Sequence, residues 1–199
     1  MISNVCKIEN GTSDLAAILK ESERVAEYND LDAKQTLQLR LLCEETDGML
    51  PNLIDDFSGD LWFEFEQGIC KICVSIQIPD FNIDKKDDLI AISRSKKNAA
   101  ARGIVGEIRN AIENFFLNEE VMEAVQTSSD AVVFANGYSR GVDYAYLWSL
   151  DQRRKTQKPD EKDEEWDELE KSVIASIADD VIVGIKGKQA DITIVKKFA

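Results

Sequence analysis

Hydrophobic and polar positions alternate most regularly between Leu61 and Ile78. Leu61, Phe63 and Phe65 precede Glu66-Gln67-Gly68, and Cys70, Ile72, Val74, Ile76 and Ile78 then alternate with Lys71, Cys73, Ser75 and Gln77. Two period-two runs around a short glycine-containing turn predict an antiparallel hairpin with one buried face, ended by Pro79. A second hairpin is expected near the C-terminus, where Val181, Val183 and Ile185 lead through Gly187-Lys188 to Ile192 and Ile194. A short strand is expected over Asn4–Ile8, and the apolar run 131–136 suggests another.

Between these strands the spacing turns helical. Asn10-Gly11 breaks the chain, and Thr12, Ser13 and Asp14 offer N-caps to a helix carrying Leu15, Ile18 and Val25. A second helix starts near Leu31 or Asp32, with Leu37, Leu41, Leu42 and Leu50 as its apolar side and Pro51 ending or kinking it. Ile104, Ile108, Ile112 and Phe115 form one stripe of a further helix. Shorter helical pieces are expected at 84–92 and 119–125. Gln152 to Lys158 reads as a basic loop before Pro159. The acidic run 160–170 reads as a solvated helix face around Trp166 and Leu169, with Val173 and Ile177 continuing the stripe. Hairpin-joined strands with helices grouped elsewhere imply an α+β class. The expected architecture is a two-layer sandwich, with helices packed on one face of a mixed, mostly antiparallel sheet.

The length of 199 residues fits a single domain spanning 1–199. Such a chain buries roughly 70% of its unfolded surface, so no disulfide or metal staple is required. The net charge of −14 argues against nucleic acid and against an anionic membrane as partners. No apolar run is long enough to span a bilayer, and the first ten residues lack the pattern of a signal peptide. A cytoplasmic location is the expectation.

The chain contains no histidine, which removes Ser-His and Cys-His nucleophiles and His-ligated metals. Cys70-x-x-Cys73 invites a metal or redox reading. On a strand, however, positions i and i+3 face opposite sides of the sheet, so Cys6, Cys43, Cys70 and Cys73 read as small buried hydrophobes. Three places remain for chemistry. Glu44 and Glu45 lie mid-helix, where a carboxylate facing a pocket acts as general base and one facing solvent pairs with Arg40. Asp80 follows a core strand and either lines a cleft or forms part of a turn with Pro79. The basic run Ser93-Arg94-Ser95-Lys96-Lys97-Asn98 opens a helix containing Gly103 and Gly106, a setting that suits phosphate or an ordinary solvated loop. The aromatic group Tyr138, Tyr144, Tyr146 and Trp148 serves either as core or interface, or as a platform for a base.

Three stretches, Leu37 to Leu50, Lys96 to Gly106 and Ala178 to Phe198, together with the order of elements, resemble the GHKL ATPase superfamily. The likeness is strongest to its small anti-sigma-factor-type members. It implies a histidine kinase-like ATPase fold with an insertion at about residues 117–165. It also implies an ATP site in which Glu44 or Glu45 activates the attacking group, Asp80 holds adenine, and Lys96, Lys97, Asn98, Gly103 and Gly106 cradle phosphates. The family's magnesium-binding Asn falls at Gly48 or Met49, and Phe81-Asn82-Ile83-Asp84 lacks the family's glycines, so Mg2+ binding is not expected to follow the family pattern. Two functions are then open. One is a regulatory protein acting on a sigma factor or an anti-anti-sigma-type partner, with weak or lost ATPase activity and the option of a homodimer. The other is an active ATP-binding serine/threonine kinase of the anti-sigma type.

Overall fold

The computed structural model describes residues 1–10, 14–54, 57–78, 103–117, 144–156 and 172–198. Strands β2 (Ser58–Glu66) and β3 (Ile69–Gln77) form the first expected hairpin. Its two-residue turn places Gln67 and Gly68 at φ of 51° and 78°. Two successive left-handed residues give a turn whose twist matches that of the strands. Strands β5 (Asp180–Lys186) and β6 (Gln189–Lys197) form the second hairpin, with Gly187 at φ 57°.

Strand β6 lies against β3, opposing Ile72 to Ile194 and Val74 to Ile192, so the two hairpins merge. Strand β1 (Cys6–Glu9) adds outside β2, and β4 (Tyr146–Ser149) outside β5, giving the order β1-β2-β3-β6-β5-β4. All five pairings among the described strands are antiparallel, where the sequence led us to expect a mixed, mostly antiparallel sheet. The connection after β1 explains its direction: helices α1 (Leu15–Tyr28) and α2 (Ala33–Leu53) run out and back, so β2 starts at the end where β1 stopped. Ahead of β1 the register slips. Ser3 N donates to Phe63 O, whereas Cys6 faces Leu61, so Asn4 and Val5 share Trp62 as a bulge. Glu21 of α1 accepts from the Asn4 amide at 2.9 Å and pins it there.

Asp14 caps α1 by accepting from Ala17 N. Asp32 and Gln35 form a reciprocal capping box on α2, at 2.8 and 2.9 Å. The buried side of α2 is Leu39, Leu42, Cys43, Thr46, Met49, Leu50 and Leu53. Leu42 and Leu50 fall where expected, but Leu41 is half-buried and Leu37 is 64% exposed. Two residues are about 200° of helix rotation, so Leu37 stands opposite Leu39. Pro51 does not stop the helix, which runs two residues beyond it to Leu53.

Helix α3 (Gly103–Leu117) buries Ile104, Ile108, Ile112 and Phe115, the stripe read from the sequence. Helix α4 (Leu150–Thr156) occupies much of the segment expected as a loop, and α5 (Val173–Ile177) is a short turn of helix before β5. The correction at α4 has a tertiary cause. Asp180, 29 residues away, accepts from Asp151 N at 2.9 Å and from Ser149 Oγ, while Ser149 Oγ accepts from Gln152 N.

One face of the sheet (Cys70, Ile72, Val74 and Ile76 on β3, with their neighbours on β5 and β6) joins the buried residues of α1, α2, α3 and α5 in a single core. The expected α+β class and the packing of these helices against one sheet face hold in the structure. Cys70 faces this core and Cys73 the other side, as strand alternation requires, and both are buried. No helix among the described residues is long and apolar enough to cross a membrane. The segments 84–92, 119–125, 131–136 and 160–170 lie outside the described residues.

Candidate functional site

Helix α2 carries the carboxylates singled out by the sequence. Its capping box fixes the start, and its leucine face fixes the rotation, so positions 44 and 45 fall at the margin of the buried stripe. Glu44 is half-buried, and its Oε1 accepts from Arg40 Nε at 3.1 Å. Arg40 extends the contact to Glu23 of α1 at 3.0 Å. Glu45 is exposed. One turn further on, Gly48 is exposed with open space where a Cβ would stand, and Met49 is buried in the core at 3% exposure. Neither position offers a side-chain oxygen to a cation, and the Gly48 carbonyl already accepts from Asn52 Nδ2 at 3.1 Å. Between them and Glu44 lies Thr46, fully buried, with its hydroxyl returned to the Leu42 carbonyl at 2.5 Å.

Gly103 and Gly106 share the first turn of α3. Gly103 adopts φ 68°, which a residue without Cβ takes at no steric cost, and Gly106 is buried. Glu107, between Gly106 and the buried Ile108, forms an ion pair with Arg153 of α4. The bonds of Glu44 and Arg40 run towards α1, and those of Glu107 towards α4. Asp80, Lys96, Lys97 and Asn98 lie outside the described residues, as does Tyr138.

The aromatic group divides. Tyr146 packs against Phe115 of α3 with ring centroids 6.3 Å apart, and Trp148 also lies against the core. Tyr144, just before β4, instead crosses the far face of the sheet. Its hydroxyl donates to Asp191 Oδ2 at 2.9 Å, Asp191 Oδ1 accepts from Gln189 Nε2 at 2.9 Å, and the same amide reaches Ser75 Oγ at 3.0 Å. Burial pushes the Tyr144 phenol above its usual pKa, and the Asp191 carboxylate beside it adds to the shift. This polar chain was not among the expectations drawn from the sequence. A signal for it was present: Gly184 interrupts the Val/Ile run of β5, and a glycine inside a strand marks a close approach.

Two further carboxylates are buried. Asp180 is held above its ordinary pKa by burial, against the pull of its three donors: Asp151 N, Ser149 Oγ and Val181 N. Burial also opposes ionisation of Glu21, but the bonds from Asn4 and the contact with Arg24 outweigh it and hold its pKa below the usual range. Both tie elements together, Asp180 at the start of α4 and Glu21 at the bulge before β1.

Among the described residues, fold and geometry together define an α+β protein with a six-stranded antiparallel sheet and helices against one face. No protein-family model, curated protein or solved structure matches the chain.

Proposed function

We propose that this chain is a cytoplasmic regulatory protein of anti-sigma-factor type on a divergent histidine kinase-like ATPase fold, acting by binding another protein, with weak or lost ATPase activity. The observation that carries this reading is the turn of α2 after Glu44 and Glu45. The family resemblance asks for a magnesium-binding Asn at Gly48 or Met49, and the chain has an open glycine followed by a buried thioether. A phosphoryl group in transfer spreads charge over its oxygens, and without a bound cation little in α2 compensates it. Glu44, the candidate general base, is already engaged by Arg40. A protein surface of net charge −14 suits a partner with a basic face, such as a sigma factor or an anti-anti-sigma-type protein.

The second reading is an active ATP-binding serine/threonine kinase of the anti-sigma type. It is favoured by the positive φ of Gly103 at the start of α3, a helix N-terminus where phosphate is expected. Titration calorimetry with ATP, with and without Mg2+, separates the two. The regulatory reading expects little or no magnesium-dependent heat at millimolar nucleotide and no turnover. Turnover that vanishes in Glu44→Ala or Glu45→Ala overturns it in favour of the kinase.

A further inference from the structure

Gly184 lies in the middle of β5, directly opposite Asp191 of β6, on the sheet face opposite the core shared with α1, α2 and α3. A Cβ placed on it would stand 2.7 Å from two carbons of the Tyr144 ring and 2.8 Å from a third. The ring therefore rests on bare backbone, in a notch that any other residue would fill. At the end of the notch, Asp191 is oriented in advance: one carboxylate oxygen is held by Gln189, itself anchored on Ser75, and the other receives the phenol. Notch and acceptor together fit one flat aromatic ring carrying one hydroxyl donor. The chain supplies that ring two residues before β4.

Strand β4 needs such help. It has four residues, all half-exposed, and among the described strands it pairs with β5 alone, whereas β2 and β3 share nine opposed pairs. Short edge elements with one paired side open at lower free energy than the sheet behind them.

We propose that Tyr144 is a clasp that holds β4 on the sheet, and that releasing the clasp lets this edge open while β2, β3, β5 and β6 stay paired. The inference is independent of the nucleotide and regulatory readings above. Hydrogen–deuterium exchange on the full chain tests it. Tyr144→Phe keeps the ring and removes only the bond to Asp191. Exchange of the Ala145–Ser149 amides should then rise about tenfold, the usual worth of one hydrogen bond to a charged acceptor, with β2 and β3 unchanged. Gly184→Ala, which evicts the ring, should raise it further over the same residues. Unchanged β4 exchange in Tyr144→Phe would overturn the clasp. So would an equal acceleration throughout β3 and β6, because Tyr144 would then serve the whole fold. Should Gly184→Ala not fold, the Phe variant decides alone.

Discussion

Gly48 stands exposed inside α2 with nothing within 4 Å of a Cβ built on it. Glycine in a helix interior gives up more backbone freedom on folding than alanine does, and here no neighbour would object to a methyl group. Gly48→Ala should therefore stabilise the protein by about 0.5–1 kcal/mol, read as a higher urea midpoint at unchanged slope. The buried thiols act through pH. Burial raises the Cys70 pKa from 9.0 to about 12, with Cys73 adding to it, and burial likewise raises Cys43. Below pH 9 the folded and unfolded chains hold the same thiol protons. Above it the unfolded chain releases protons that the folded one keeps, so stability falls as pH rises, up to about 1.4 kcal/mol per unit for each thiol. Urea melts between pH 8 and pH 10 under reducing conditions should show a gentler decline in Cys43→Ala than in the parent.

Among the elements, α4 depends on a residue outside itself. Asp180 satisfies the Asp151 amide and positions Ser149, which receives the Gln152 amide. Asp180→Ala should cost about 1–2 kcal/mol, the upper range for a lost helix cap, and should speed amide exchange in 150–156 before it affects β2 and β3. A melt indistinguishable from the parent would contradict this account. The two hairpins and α3 were legible in the chain because each buries a face whose period the sequence repeats. Helix α4 was not legible: Asp151 to Lys155 carries four charged residues and no stripe, and its N-terminal partner lies 29 residues downstream. Tyr146–Ser149 was missed as a strand for a related reason. Four residues are too few to display a period, and only their pairing with Val183 and Ile185 makes them one.

For the whole molecule, a net charge of −14 means the compact state works against its own repulsion. Raising sodium chloride from about 10 to 150 mM shortens the screening length to roughly 8 Å, and the melting temperature should rise by a few degrees. A flat or falling salt response would show that paired charges such as Arg153 with Glu107 outweigh the general repulsion. Composition and periodicity by themselves determined the α+β class, the burial of Cys70 and Cys73 on opposite sheet faces, and the stripe of α3, while Cys6, also expected to be buried, is only half-buried. These follow from local geometry, in which side chains repeat every two or 3.6 residues whatever they pack against. The tertiary structure alone decided that every described strand pairing is antiparallel, that Glu44 is held by Arg40, that Asp180 builds a helix start, and that Tyr144 rests on Gly184. Each of these joins residues far apart in the chain, or selects one rotamer of a long side chain, and no periodic pattern encodes which distant partner will arrive.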